Sequence, residues 1–482
     1  MNKKFHVLFA FGVFCSCNPH KVAVNPMPST KVSKKYSVHS KNPSPDKWWL
    51  SFGDKELIRI INESLEGNFQ LQASWSRYNQ AKALWTQSKA GAWPEITASF
   101  TASRSKNRLN FGDAFDFAGT GAPSPPESFE LSQFDASLAA NYELDLWKKA
   151  GSKAKGALLG ALATRDDYEA MAMTITASVA ELWISRVAQI ASKSVVDKQS
   201  ELSKTLYELA KLRFSQGLGS AGEVYQQEEQ WLSVQGQLPS IEANIVVLKN
   251  QIALLSGKSP VEFSLPQSGT FPTLPELPGL GVPMDLLDRR PDVRAARKRV
   301  EAADYGVAAA VADRLPSLRI SASAGLQENE LPSLFDDFIW RIAGGLLAPI
   351  FDRGRRRAEV VRNKEVVLER LAIYNEVLLG AIVEVENAWI QEKKQIEIIA
   401  NLKRQKKVSE ASLREAKSKY QTGVSDVGYL SVLTAVSKLQ NSEVALVEAK
   451  RQRILFRIAL YRALGGSWTE ELEQPSPKEK QP

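Results

Sequence analysis

The sequence predicts an α+β membrane protein in which very long coiled-coil helices are joined to four transmembrane β-strands per chain. Three observations carry that reading. Apolar and polar residues alternate with period two in paired segments placed directly after proline-terminated helices. Two stretches of about sixty residues lack proline and keep a helical pattern throughout. No stretch reaches the roughly twenty apolar residues of a membrane-spanning helix, so a bilayer would have to be crossed by strands in a closed barrel.

The chain has 482 residues, 44% of them hydrophobic and 24% charged, a globular rather than a disordered composition. Histidine occurs only as His6, His20 and His39, and cysteine only as Cys15 and Cys17. The body of the chain therefore offers no His-based triad, thiol nucleophile, His/Cys metal site or disulfide. No paired-acid site stands out either, and the expectation is a protein that is not an enzyme and has no cofactor. The net charge is +8, but Lys and Arg are spread along Glu-containing helical stretches as on a solvated face. The densest cluster, Arg353, Arg355, Arg356 and Arg357, lacks the interleaved aromatics of a single-strand-binding surface, so no nucleic-acid partner is expected.

Residues 1–17 read as an export signal: Lys3 and Lys4, an apolar run over residues 7–14, then Ser16 before Cys17. A small residue followed by cysteine resembles a bacterial lipoprotein signal, in which Cys17 would carry covalent lipid. Ordinary signal cleavage nearby is the alternative; Phe14 and Cys15 depart from the usual lipoprotein pattern. Residues 18–45, rich in Pro, Ser and Lys, read as a tether.

The body then divides into two repeats, 46–259 and 285–466, about a Pro-rich linker at 260–284, with a polar tail at 467–482. Each repeat reads helix, strand pair, very long helix, glycine turn, long helix. The first opening helix covers about 54–92 and stops at Trp93-Pro94; its partner runs from 285 to 312 and stops at Leu315-Pro316. Proline ends both because it lacks the amide proton and clashes with the preceding turn. A first hairpin is expected over 95–147. Ile96, Ala98, Phe100 and Ala102 alternate with Thr97, Ser99, Thr101 and Ser103, and Phe134 to Leu146 alternate likewise. A second hairpin is expected over 317–351, where Leu318, Ile320, Ala322, Ala324 and Leu326 alternate with Arg319, Ser321 and Ser323, and residues 338–351 are apolar on both faces. Polar loops fill 106–133 and 327–337. A soluble antiparallel sheet is the alternative for any one strand. Four strands cannot close a barrel, since the smallest natural membrane barrels use about eight. Three copies would supply twelve.

Long helices follow over 150–257 and 353–464. About sixty residues at 1.5 Å each span roughly 95 Å. In the first return helix Val224, Gln227, Trp231, Val234, Leu238, Ile241, Ile245, Leu248, Ile252 and Leu255 hold an unbroken 3/4 spacing, a coiled-coil seam. Pro239 inside it predicts a kink or break. Val444, Val447, Ile454, Ile458 and Tyr461 keep similar spacing in the second. A plain coiled-coil rod is the alternative. The coupling of helices to strand pairs, twice, argues instead for a barrel prolonged into a tube.

Leu286-Leu287-Asp288-Arg289-Arg290-Pro291-Asp292-Val293-Arg294-Ala295-Ala296 resembles the signature segment of the outer-membrane factor family, the TolC-type and NodT-type efflux channels. Residues 250–257 with Pro260, Ile350-Phe351-Asp352 before Gly354-Arg355-Arg356, and Leu464-Gly465-Gly466-Ser467-Trp468 resemble further hallmarks. The resemblance implies a homotrimer with a twelve-stranded barrel in the outer membrane and a twelve-helix tunnel in the periplasm. Its implied partners are a periplasmic adaptor, an inner-membrane pump and outer-membrane lipid, and its implied task is a passive, gated path for small molecules. Export of proteins by a type I system, or a non-conducting periplasmic scaffold, remain the alternatives. The turns at Arg213, Phe214, Gly217 and Leu218 and at Lys419, Tyr420, Gly423 and Val424 would form the tip that meets the adaptor. Glycine suits such a reversal because positive φ carries no steric cost there. The family often places acids on the helix after the second turn. Here the matching positions are Ser431 and Thr434, and the nearest acids for a constriction are Asp426 and, in the first repeat, Glu223. Tyr420 is implied as a gate-closing hydrogen-bonding residue.

Overall fold

The computed structural model describes residues 19–24, 26–28, 36, 45–108, 128–267, 269–330, 332, 335, 337–422 and 429–472. Cys17 lies outside the described residues, as do Gly423, Val424 and Asp426. The elements are α1 (Lys55–Gly67), α2 (Phe69–Ala90), β1 (Glu95–Arg108), β2 (Ser128–Leu144), α3 (Lys149–Ser215), α4 (Ala221–Gln235), α5 (Leu238–Leu255), α6 (Leu286–Arg289), α7 (Pro291–Ala312), β3 (Ser317–Glu328), β4 (Phe338–Leu347), α8 (Arg355–Thr422) and α9 (Tyr429–Leu464). No helix among the described residues is long and apolar enough to cross a membrane.

Two compact units result, and neither is a sequence repeat. One comprises Met1–Pro26, Ala81–Ala161 and Arg299–Arg370; the other comprises Met27–Gln80, Leu162–Lys298 and Leu371–Pro482. Each therefore draws on both repeats. The first unit holds a single antiparallel sheet of order β1-β2-β3-β4, so one edge of β1 and one edge of β4 carry no strand among the described residues. The strands run further than the alternation indicated: β1 and β2 extend into the segment expected as a loop over 106–133, whereas β4 stops at Leu347, ahead of Pro349.

The second unit holds the main apolar core, in which Leu57, Ile60, Ile61, Leu71, Trp183, Ile184, Ile252, Ile458 and Tyr461 are buried. Trp48 stacks on Tyr461 at 5.6 Å between ring centroids, and Trp49 meets Trp468 edge-on at 4.8 Å. The opening helix expected over 54–92 is broken at Asn68, whose backbone is extended and whose side-chain oxygen accepts from the amides of Gln70 (2.9 Å) and Leu71 (3.0 Å). That N-cap restarts the helix as α2. Its partner is broken too. Arg290, held extended by the proline that follows, separates α6 from α7, with Pro291 at the first helical position.

The two very long helices are continuous over 67 and 68 residues. The first return path breaks at Gly236 and Gln237, and Pro239 falls in the first turn of α5, where its missing amide proton costs nothing. Every member of the seam from Val224 to Leu255 is buried or half-buried. In the second seam Val444 is 40% exposed in the single chain, while Ile454, Ile458 and Tyr461 are buried.

The Pro-rich linker is secured by buried guanidiniums. Arg186 donates to the Pro266 carbonyl (2.8 Å), and Arg457 donates to the carbonyls of Pro275 (3.0 Å) and Glu276 (3.2 Å) while forking onto Glu392 at 2.7 and 2.8 Å. Irregular backbone has no ladder to accept its partners, and a planar five-donor group supplies them.

Candidate functional site

Two surfaces carry functional chemistry: the sheet in one unit and a helix-turn tip in the other.

The strand register brings the alternating residues into rows across all four strands. Ile96 pairs with Ala140, Ala140 with Ala322 and Ala322 with Ile342. The neighbouring rows are Ala98, Leu138, Ala324, Trp340 and Phe100, Ala136, Leu326, Phe338. One face is thus apolar from edge to edge. The other carries Thr97, Ala139, Ser323, Arg341 and Thr101, Asp135, Gln327 in register, with Ser99 and Ser137 sharing a hydrogen bond of 3.0 Å. The apolar face is open, with Ile96, Trp340 and Ile342 67–72% exposed. A contiguous apolar face of this kind requires an apolar surrounding, and the wet face opposite it requires water.

At the tip, α3 ends in a Schellman turn. The Gly217 amide donates to the Phe214 carbonyl (3.0 Å) and the Leu218 amide to the Arg213 carbonyl (2.8 Å). Gly217 has φ +73°, the left-handed conformation that this closure needs. Ser220 caps α4 by accepting from the Glu223 amide at 3.2 Å. Phe214 and Leu218 are left 50% and 63% exposed.

Tyr420, near the end of α8, is buried with Leu206, Leu413, Ala416, Val432, Ala435 and Val436. Arg213 lies over its ring at 4.6 Å, donates to the Tyr420 carbonyl (3.3 Å) and donates to the Leu218 carbonyl (3.2 Å). Burial, and then the Glu223 carboxylate, push the Tyr420 phenol above its usual range. Arg213, Tyr420 and Glu223 therefore join the first turn to the second long helix. Nothing in the sequence beyond the two aligned turn motifs signals this, because Tyr420 lies some two hundred positions from Arg213 and Glu223. The other expected residues are not drawn into that group. Lys419 pairs with Glu415 on its own helix at 3.0 Å. Ser431 and Thr434 are exposed one turn apart on α9, with Thr434 bonded back to the Leu430 carbonyl at 2.8 Å.

A third constellation was seen in the sequence only as a signature. Arg290 forks onto Asp292 (3.0 and 2.7 Å) and reaches Glu384 at 2.8 Å and the Ala463 carbonyl at 3.2 Å. Arg294 bonds Glu169 and reaches Glu470 at 2.6 Å, and Lys298 reaches Asp166 at 2.5 Å. Burial pushes the Asp166 carboxyl up against the pull of Lys298 and Arg294. Gly465, at φ +71°, lies so close to this segment that a β-carbon there would come within 2.4 Å of the Arg289 carbonyl. The signature and the Gly-Gly-Ser-Trp hallmark thus form one structural joint. Among the described residues, no group of three His, Cys, Asp or Glu side chains is placed to hold a metal ion.

The family model for outer membrane efflux proteins matches residues 60–258 and 282–466. The chain is 30% identical over 433 residues to the pyoverdine export outer membrane protein OpmQ of Pseudomonas aeruginosa, covering 88% of each protein. It is 28% identical over 434 residues to the solvent efflux pump outer membrane protein SrpC of Pseudomonas putida, covering 87% of each. Its fold matches the solved outer-membrane channel OprN with a TM-score of 0.85 at 23% identity, over 94% of this chain and all of that one. With the family model matching most of the chain, this protein, with its apolar-faced sheet and helices of nearly seventy residues, belongs to the outer membrane efflux protein family as an efflux channel of the outer membrane.

Proposed function

We propose that three copies of the chain form a passive, gated outer-membrane duct that takes small molecules from an inner-membrane pump and its periplasmic adaptor. The observation that carries this is the register that makes one face of the sheet apolar across all four strands while, among the described residues, both outer edges stay unfilled. Unpaired backbone groups in lipid cost several kcal/mol each, so neighbouring copies are needed to close the sheet, and three give twelve strands. The duct performs no chemical step and has no cofactor; its driving force comes from the pump. The printed functions of the relatives, pyoverdine export and solvent efflux, favour small molecules over proteins as cargo.

The tip would dock the adaptor through exposed Phe214 and Leu218, and Tyr420 with Arg213 and Glu223 would hold it closed. Ser431 and Thr434 would line a constriction, with Asp426 the nearest acid in sequence. Covalent lipid on Cys17 would add an anchor to the same membrane, which mass spectrometry of the mature N-terminus would read directly.

The decisive experiment is current through the purified protein in planar bilayers of neutral lipid, with images of the detergent-solubilised particle. Discrete conductance steps from a three-fold particle are expected. A water-soluble monomer, or a particle that enters bilayers without passing current, would sink the duct in favour of a scaffold.

A further inference from the structure

Arg353, Arg355, Arg356 and Arg357 have no part in the duct described so far, and their placement rests on the outer-membrane reading above. They lie where the sheet meets the helices. Leu144 pairs with Leu318 and Leu318 with Leu346, so the start of β1, the end of β2, the start of β3 and the end of β4 share one end of the sheet. The four segments there, 93–95, 143–156, 313–319 and 349–358, hold ten Lys/Arg against five Asp/Glu. That excess of five is most of the chain's net +8.

The acids at this end are already engaged. Glu143 is paired with Arg319 (3.1 Å), and Asp313 with Lys149 (2.7 Å) and Arg356 (3.1 Å). Asp145 accepts from the amides of Ala150 (2.9 Å) and Gly151 (2.7 Å), and Asp352 from the amide of Gly354 (3.0 Å). Only Glu95 stands apart. Lys148, Arg314, Arg353, Arg355 and Arg357 are exposed, and among the described residues none is in an ion pair. Bulky apolar side chains flank them: Trp93 is 70% exposed just before β1, and Ile350 and Phe351 are 91% and 85% exposed just after β4. A merely solvated charged face has no use for bare Trp, Ile and Phe beside it. A membrane surface uses both, with aromatic and aliphatic groups at the acyl boundary and cations against the phosphates above it.

We propose that this end of the sheet is a docking collar for the phosphodiester headgroups of anionic phospholipids in the leaflet nearest the helices. The guanidiniums of Arg353, Arg355 and Arg357 present planar donor pairs that match two phosphate oxygens. Amides in the first turns of α3 and α8 are occupied by Asp145 and Asp352, so side chains rather than helix ends make the contact. Arg356 is a positioning residue that ties α8 to Asp313 and takes no lipid.

The test compares wild-type protein with the triple variant Arg353→Gln, Arg355→Gln, Arg357→Gln, and with a charge-matched control, Lys403→Gln, Lys407→Gln, Arg414→Gln. Each is purified in neutral detergent and checked for unchanged secondary structure and oligomeric state. Thermal stability and retained lipid are then measured with phosphatidylglycerol or phosphatidylcholine added. Wild type and control should be raised several degrees by phosphatidylglycerol and little by phosphatidylcholine, an effect that fades as salt rises. The collar variant should lose at least about tenfold of the preference for phosphatidylglycerol. Equal response to both lipids, or a preference that survives the three substitutions, would overturn the collar. So would a variant that keeps the lipid preference but no longer captures an acidic periplasmic protein. Wild type that conducts yet ignores headgroup charge defeats only the collar, whereas wild type that enters no bilayer defeats the channel reading and the collar together.

Discussion

The two turn motifs repeat the same pattern, a basic residue, an aromatic and a glycine, yet their aromatics have opposite fates. Phe214 in the first is half exposed, while Tyr420 in the second is 8% exposed under Arg213. Similar sequence at matching turns of the two repeats therefore serves different ends. One aromatic is left open at the surface, and the other packs between two helices. The basic residues differ too, since Arg213 crosses to Tyr420 and Lys419 pairs with Glu415 on its own helix.

Substitutions should separate these roles sharply. Tyr420→Ala removes a buried aromatic from the small core around Leu206 and Val432 and should cost about 3 kcal/mol locally. Hydrogen exchange at residues 413–422 and 429–436 would accelerate, whereas Phe214→Ala should stay within about 0.5 kcal/mol and weaken only adaptor capture. Equal exchange in both variants would erase the comparison. Arg213→Gln removes the cation from the Tyr420 ring and weakens two carbonyl contacts, at about 1–2 kcal/mol, and should raise the open fraction in single-channel recordings. Gly217→Ala should cost about 1 kcal/mol through its positive φ alone, since a β-carbon there meets nothing within 4 Å; thermal melting of the tip would read it.

Alkali offers a further distinction. Because the Tyr420 phenol is held above its ordinary value of 10.0 in the folded tip, the unfolded chain ionises first. Stability is intact below about pH 10 and falls as pH rises toward the folded value. Tyr420→Phe should abolish that alkaline loss, and an unchanged alkaline profile would remove the phenol from the lock. The smallest effect on stability is expected for Ser431→Asp with Thr434→Asp, exposed positions where carboxylates should cost under about 0.5 kcal/mol. Reversal potentials should nonetheless shift toward cations, because a ring of acids at a constriction selects for them.

Period-two and 3/4 spacings are local, so the strands and the seam from Val224 to Leu255 could be read directly. Register is not local. The row Ile96, Ala140, Ala322, Ile342 depends on pairing Ala140 with Ala322, nearly two hundred residues away. The break at Asn68 was hidden because its cap uses the same residue type that an exposed helix face tolerates. Arg457 looked like one more solvated helix charge, and only the linker carbonyls and Glu392 reveal it as fully buried. The lock at Tyr420 was half visible. The turn motif located the residue, but nothing nearby in sequence announced Arg213 or Glu223 as its neighbours.

The unfilled edges of β1 and β4 bear on how cells handle this chain during biogenesis. On the proposed three-copy duct a lone subunit could not seal itself, so insertion and oligomer formation would be one concerted event, with a rate that climbs steeply with subunit concentration. Stray copies would remain substrates for chaperones and proteases instead of becoming partial holes. In that assembly the outer barrier would be protected from leakage by the same backbone groups that later join the finished wall.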